Sequence, residues 1–337
     1  CNRSRTWAQS NNCREGIHLI MRVLVTGGAG YIGAHIANTF IENGALVTVL
    51  DDLSNSDTKR IENLNIDFLK GSIKDAPLVF KVLSGQDLVI HCAAYKSVEE
   101  SEKNPAKYEE VNYWGTNTLL NEMVKASVKK LIFASTAAVY GNSVKSPISE
   151  KADALPVSVY GKTKLRAETL IGNYCKSAGI SAVSLRYFNA VGAESSEMAD
   201  TSKENLFPKV FSAITSGLSP EIFGDDYPTP DGTCIRDYIH VQDIAEAHIS
   251  TFDYLNSRNG HQIFNVGTGK GYSVKEIISG IQKIAGTNYD PVVRARRPGD
   301  LDSAYADPAL INLETGWKAR FNLNEMIESA WNAWKGK

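Results

Sequence analysis

Arg22-Val-Leu-Val-Thr26 is a short β-branched run that ends in Gly27, and Gly30 and Gly33 follow before a helical stretch from Tyr31 to Asn43. Gly44 stops that helix, and Leu46-Val-Thr-Val-Leu50 is a second apolar run. Strand, glycine turn, helix and strand in this order make a βαβ unit, which commits the chain to a parallel sheet. Neither run alternates with polar residues, as expected of strands covered on both faces. Further runs at Leu88-Val-Ile90, Leu131-Ile-Phe133 and Val183-Ser-Leu185 alternate with helical stretches, so the predicted class is α/β. After Asn189 the rhythm breaks into a Gly-, Pro- and Asp-rich region through Asp231-Gly232, and Gln262-Ile-Phe-Asn-Val266 reads as a return to the sheet.

The expected organisation is a first domain over residues 21–190, with a return around 235–268, and a second over 191–234 and 269–337. Residues 1–20 are polar and irregular, without the apolar centre of a secretory signal, and Met21 stands at the head of the first strand. Met21 is the expected start, with the upstream segment a disordered or non-native extension.

A length of 337 residues and a formal net charge of -2 describe a chain that buries a sizeable core and has no electrostatic reason to meet nucleic acid or an anionic membrane. No apolar run approaches the roughly 20 residues of a membrane span. Cys1, Cys13, Cys92, Cys175 and Cys234 are scattered, with no Cys-x-x-Cys pair, which argues against a disulfide framework or a zinc site and for a reducing, cytoplasmic setting. No metal is expected.

Glycines at a strand-to-helix turn let the backbone approach a pyrophosphate at the helix N-terminus. Asp51 ends the second strand, where a carboxylate accepts both ribose hydroxyls of NAD and repels the 2′-phosphate of NADP; the neighbouring Asp52 and the lack of a nearby Arg point the same way. Downstream lies Tyr160-Gly-Lys-Thr-Lys164. A phenol is a poor base, with a free pKa of about 10, but an ammonium one helical turn away and a cationic nicotinamide favour its ionised form. Phe133-Ala-Ser-Thr136 ends a strand in hydroxyls, and Thr136 can either hydrogen-bond a reacting oxygen or cap the next turn.

The glycine turn, the Ser135-Thr136 strand end and Tyr160-x-x-x-Lys164, in this order, resemble the extended short-chain dehydrogenase/reductase superfamily over nearly the whole chain. Arg186-Tyr-Phe-Asn-Ala-Val-Gly-Ala193, Phe223-Gly-Asp-Asp-Tyr-Pro-Thr-Pro-Asp-Gly232, Arg236-Asp-Tyr-Ile-His240 and the Arg296, Arg297 and Asp300 segment narrow the resemblance to the UDP-glucose 4-epimerases of the NAD-dependent epimerase/dehydratase family. That resemblance implies a Rossmann-type doubly wound parallel sheet with a smaller C-terminal α/β domain for the nucleotide sugar. It implies that Tyr160 takes the proton of the sugar 4-hydroxyl, Thr136 assists, and Lys164 holds the nicotinamide ribose. UDP-galactose and UDP-glucose would interconvert through a transient 4-keto sugar, with NAD regenerated in each cycle.

By the same resemblance Gly27, Gly30, Tyr31, Ile32, Gly33, Asp51, Ile73, Ala93, Lys96, Asn112, Tyr160 and Lys164 serve the cofactor. Taken alone, Lys96 reads as a surface lysine and Asn112 as a helix start. Thr136, Asn189, Asn205, Arg236, Tyr238, Arg297, Asp300 and Ala304 are implied for the UDP-sugar, the arginines for the diphosphate and Asp300 for the uridine ribose. Without the resemblance, Arg236-Asp237 reads as a local ion pair and Arg294, Arg296 and Arg297 as a basic surface patch. The helices near 108–127 and 159–177 imply a homodimer.

Two departures stand out. Ser72 replaces an aspartate that usually meets the adenine, and Glu99-Glu-Ser101 replaces a glycine-containing turn. Ala304 falls where some relatives carry a Tyr that closes the sugar pocket, so acceptance of UDP-GalNAc and UDP-GlcNAc is expected unless other side chains set the pocket volume. The alternatives are a nucleotide-sugar dehydratase, a UDP-uronate decarboxylase and a non-catalytic NAD sensor. Ala137-Ala138 after Thr136, where a dehydratase carries acids, and the retention of Tyr160 and Lys164 count against them.

Overall fold

A computed structural model describes residues 20–142, 145–297 and 299–336; the expected extension, residues 1–20, lies outside the described residues but for Ile20. The strands β1 (Arg22–Thr26), β2 (Leu46–Asp51), β3 (Ile66–Lys70), β4 (Leu88–His91), β5 (Lys130–Thr136) and β6 (Ser181–Tyr187) form one sheet. With the later strand His261–Val266 at its edge, the order is 3-2-1-4-5-6 and then that strand, all parallel. The order reverses between β1 and β4, and a crevice opens there at the carboxyl ends of the strands.

Alternation along the strands feeds two cores. Val23 and Val25, Leu88 and Ile90, and Ile132 and Ala134 face one cluster, while Leu24, Val89, Leu131 and Phe133 face the other. The first is covered by α1 (Tyr31–Glu42) and by the later helix Val241–Ser257. The second is covered by α2 (Ala76–Leu83), by a π-helical stretch Glu109–Gly115 running into α5 (Thr116–Lys125), and by α6 (Val159–Ala178), while α3 (Val98–Lys103) and α4 (Pro105–Tyr108) pack against α6. The helix expected over 108–127 is therefore interrupted by a π segment, a feature that often lies beside functional sites.

The smaller lobe is built on β7 (Asn189–Val191), α7 (Leu206–Thr215), β8 (Glu221–Phe223), β9 (Ile235–Arg236) and β10 (Tyr238–His240). The helix Val241–Ser257 is α8 and the strand His261–Val266 is β11. Then come β12 (Tyr272–Ser273), α9 (Val274–Ala285), β13 (Val292–Arg294), β14 (Ser303–Ala304), α10 (Ala309–Thr315) and α11 (Leu323–Lys335). Short sheets β10-β7, β12-β9-β14 and β13-β8 and the core of α7, α9 and α11 hold this lobe together. The division differs from the sequence expectation at two points. Residues 235–240 pair within the small sheets while α8 and β11 rejoin the large one, and Ile311 and Trp317, expected in the second domain, pack into the core under the large sheet.

Candidate active site

The glycine turn is shaped by close approach. Gly27 has φ +69, and a Cβ there would stand 2.5 Å from the Ala93 amide nitrogen; a Cβ on Gly33 would stand 2.3 Å from the Gly27 carbonyl oxygen. Only hydrogen fits at either place, so the turn packs against the end of β4 and α1 starts directly above it. Gly30 caps α1 with no side-chain hydrogen bond, and the first turn of α1 holds no acid. Its amides are left to face an anion at the positive end of the helix dipole.

Gly27, Gly30, Tyr31, Ile32, Gly33, Asp51, Ile73, Ala93, Lys96, Tyr160 and Lys164 all line one cleft at this switch point. The buried Asp51 accepts from the Ala29 amide at 3.0 Å through Oδ2, and from the Leu53 amide at 2.9 Å and the Ser56 hydroxyl at 3.1 Å through Oδ1. The carboxylate thus fixes the turn of β1 to the loop after β2 and keeps further lone pairs toward the cleft. The absence of a nearby arginine does not survive in three dimensions, because Arg60 lines the same cleft. Nine residues separate it from Asp51 in the chain, and the loop brings it back.

Asn112 stands behind the cleft wall, 1% exposed. Its amide nitrogen donates to the Tyr95 carbonyl at 2.9 Å and to the Thr163 hydroxyl at 3.2 Å, and its oxygen accepts from the Tyr95 amide at 2.9 Å. It ties the segment carrying Lys96 to α6. Lys96 itself is exposed at the rim.

Tyr160 and Lys164 sit in the first turns of α6. Every early amide of that helix meets a side chain: Val159 donates to Glu102 at 2.8 Å, Tyr160 to Ser101 at 3.2 Å and Gly161 to Ser158 at 3.0 Å. Glu99-Glu-Ser101 therefore lies in the helix α3, capped by Ser97, and Ser101 and Glu102 of that helix support the start of α6 in place of a glycine turn. Gly161 allows the approach of α6 to the turn after β5, since a Cβ there would lie 2.7 Å from the Ala138 carbonyl oxygen. Sequence reading missed this glycine; its signal is its place between Tyr160 and Lys164.

Thr136 takes its capping reading. Its hydroxyl accepts from the Ala138 amide at 3.2 Å, capping the short turn Ala137–Tyr140, and its side chain also acts on the Tyr160 phenol, lowering its pKa. Lys164 is 3% exposed, donates to the Ala134 carbonyl at 2.8 Å and lies 4.6 Å over the Phe133 ring. Burial brings its ammonium down to about 8, against the nearby Cys92 and Glu168. Two of its three N–H groups remain for a ligand. Burial pushes the Tyr160 phenol up to about 12, and Thr136 works in the opposite direction. The expected lowering of the phenol by Lys164 is not seen among the protein groups, because the ammonium is turned to Ala134.

Apart from Thr136 at the end of β5, the residues expected to hold the nucleotide sugar lie in the second lobe, outside the lining of this cleft. Asn189 and Tyr238 pair in register across β7 and β10, and Ala304 and Arg236 across β14 and β9. Arg236 donates to the Leu301 carbonyl at 2.7 Å and faces Asp300 at 3.4 Å. Arg297 lies over the Phe223 ring at 3.9 Å and is otherwise exposed. The Asn205 amide donates to Asp200 at 2.6 Å, and Ala304 packs beside Ala137 against the cluster of Val139, Tyr140, Ile148, Phe188 and Ala306. The basic-patch alternative holds only in part: Arg297 is exposed, but Arg294 and Arg296 pair with Glu221 and Asp226. The alternative of a local Arg236-Asp237 ion pair is not met, since Arg236 faces Asp300 while Asp237 accepts from Thr268, Gly269 and Ala306.

NAD fits this cleft by the structure's own measures, namely a turn that excludes any Cβ, an uncapped helix start and a buried carboxylate beside it. Over residues 23–267 the chain matches the family model described as the NAD dependent epimerase/dehydratase family. It is 41% identical over 326 residues to a UDP-glucose 4-epimerase of Yersinia enterocolitica, covering 92% of this chain and 96% of the relative. Among solved structures, UDP-glucose-4-epimerase from Stenotrophomonas maltophila, with bound NAD and formylated UDP-arabinopyranose, superposes with a TM-score of 0.90 at 38% identity, covering 94% of this chain and 98% of that one. UDP-glucose 4-epimerase from Brucella ovis in complex with NAD gives 0.89 at 38% identity, covering 93% and 98%. Fold, glycine turn and the Tyr160, Lys164 and Thr136 cluster agree with these likenesses, and the chain belongs to the NAD dependent epimerase/dehydratase family.

Proposed function

We infer that this chain is a UDP-glucose 4-epimerase, an isomerase that interconverts UDP-galactose and UDP-glucose. The observation that carries the reading is the convergence of Tyr160, Thr136 and Lys164 at the cofactor cleft. Gly27, Gly30 and Gly33 with the start of α1 would hold the pyrophosphate of NAD, Asp51 its adenine ribose, and Lys164 the nicotinamide ribose. NAD, when bound, takes up the sugar's C4 hydride and returns it, so no net redox change results.

The proton is the protein's part. Tyr160 Oη accepts the proton of the sugar 4-hydroxyl and gives it back, and Thr136, which favours the ionised phenol, assists that exchange. A phenol held near 12 by burial is too weak an acid to ionise at neutral pH, so a positive charge brought in beside it is required for turnover. Asn189, Asn205, Arg236, Tyr238, Arg297 and Asp300 would receive the UDP-sugar, and the small side chain of the half-buried Ala304 would suit an N-acetyl group at C2. Among the described residues there is no cluster suited to a metal and no helix long and apolar enough to cross a membrane. We place the enzyme in the cytoplasm, which suits the free Cys92, Cys175 and Cys234. We propose a homodimer across α5 and α6, where Trp114 is 54% exposed beside that helix pair.

Incubating the purified chain, without added NAD, with UDP-galactose and separately with UDP-N-acetylgalactosamine, and following the anomeric signals by NMR, tests this. Both are expected to convert. Conversion of UDP-galactose alone removes the open-pocket reading of Ala304. No conversion of either after NAD is supplied overturns the epimerase.

A further inference from the structure

The smaller lobe sends one short segment back over the cofactor cleft. Residues 200–204 form part of the cleft wall just before α7, and both sides of the cleft grip them. From one side Arg60 Nη2 donates to the Ala199 carbonyl at 3.1 Å and to the Thr201 hydroxyl at 3.0 Å. From the other the Ser97 hydroxyl donates to Glu204 at 2.6 Å. The segment then runs into Asn205, whose amide is held by Asp200.

Arg60 is only partly satisfied by these bonds. Its Nε is buried and has no hydrogen-bond partner, although the residue lines the cleft. A guanidinium carries five donors in a fixed fork suited to phosphate, and leaving one of them dry is costly unless an anion completes the set. The position favours one phosphate over another. The charge of Arg60 reaches Tyr31 and His35 in the first turns of α1, at the uncapped helix start. Asp51 and Asp52 stand where a 2′-phosphate would go, and they repel it.

We propose that Arg60 binds the diphosphate of the dinucleotide cofactor, and that the 199–201 segment holds its guanidinium in place, so that the lobe carrying Asn205 closes onto the cofactor. This rests on the reading of the cleft as an NAD site. It adds a cation from outside the glycine turn and links cofactor retention to the segment that enters the nucleotide-sugar lobe.

The full chain, freed of nucleotide, is titrated by calorimetry with NAD, ADP and adenosine, and the NAD that co-purifies with each variant is counted. Arg60→Gln is expected to weaken NAD and ADP by roughly ten- to a hundredfold, the loss of a charged hydrogen bond, with adenosine within about twofold. Arg60→Lys falls between, since it keeps charge and loses the fork. Thr201→Val, which cuts one hold on the guanidinium, weakens ADP by about threefold. Co-purified NAD falls in the same order. Unchanged ADP binding in Arg60→Gln overturns the inference, as does an equal loss for adenosine, or a loss confined to 2′-phosphorylated ADP. Should Arg60→Gln not fold, Arg60→Lys and Thr201→Val decide by the same readings. A wild-type chain that takes neither NAD nor ADP brings down the cofactor reading itself, an outcome distinct from equal binding by wild type and variant.

Discussion

The two halves of the site are built differently. On the cofactor side, a single βαβ unit supplies the turn, the helix start and the carboxylate within residues 22–51, and a parallel sheet buried on both faces fixes them. On the proposed sugar side, residues from 189 to 304 meet through two- and three-residue strands, and one of its cations, Arg236, faces an acid, Asp300, at 3.4 Å. One half is preformed by the core, and the other is held together by its own polar groups. A protein that keeps its cofactor and exchanges its substrate has use for that asymmetry, since rigidity lowers the ordering cost of what stays and looseness eases the release of what leaves.

The comparison assigns the chemistry to the rigid half. Tyr160→Phe keeps the ring and removes the proton carrier, so turnover should fall by about a thousandfold, roughly 4 kcal/mol of barrier, while co-purified NAD stays near the wild-type amount. Single-turnover kinetics with UDP-galactose check the rate. Loss of NAD together with activity would instead make Tyr160 a binding residue.

Dryness of the rigid half can be read from pH. His248 lies under the sheet, its Nε2 at 2.8 Å from the Tyr187 hydroxyl and its Nδ1 at 2.9 Å from the Ile244 carbonyl. Burial brings it from 6.5 down to about 4. The folded chain thus refuses a proton that the unfolded chain accepts, so this contribution to stability is complete above 6.5 and is lost as pH falls toward 4. His35, also near 4, and His91, near 3, behave alike, and Asp243, raised to about 6, opposes them by taking a proton in the folded state. Comparing urea unfolding at pH 7.5 and 5, His248→Gln should lose about 2 kcal/mol less stability than wild type over that interval, whatever its stability at pH 7.5. Equal losses would mean that water reaches His248.

The loose half should respond in binding rather than in rate. Arg236→Met leaves the cofactor side untouched, so KM for UDP-galactose should rise roughly tenfold with NAD content unchanged. A fall in NAD content would show that the two halves are more strongly coupled than their packing implies.

What could be read beforehand follows the same line. Gly27, Asp51, Thr136, Tyr160 and Lys164 were legible because each stands at a strand end or in a first helical turn, where period and spacing place it. Strand β3 was not foreseen, since it is an edge strand whose side chains are only partly buried. Residues 235–240 read as a return to the large sheet because Tyr238-Ile-His240 is buried and apolar enough for one, yet it pairs with β7. Arg60 and the 200–204 segment carry no local signal, because their meaning comes from contacts with chain 107 to 141 residues away, which only the fold supplies. Asn189, Arg236 and Ala304 were found by resemblance alone, as no period links them.

The smallest expected effect tests whether the rigid half is finished. Ser72 follows β3 at the adenine end, and its hydroxyl accepts from the Lys74 amide at 3.3 Å, while Gly71 and Ile73 on either side line the cleft. Its side chain is engaged with its own turn, so in the proposed site adenine binding would rest on the backbone and on Ile73. Ser72→Asp offers a carboxylate acceptor to the adenine amino group and retains the short side chain that can cap the same turn. NAD affinity should rise about threefold, the net value of one modest hydrogen bond, with kcat unchanged. A fall in affinity would show that the acid at Asp51 already sets the charge the adenine end tolerates, and that Ser72 belongs to the balance of this cleft rather than to a gap in it.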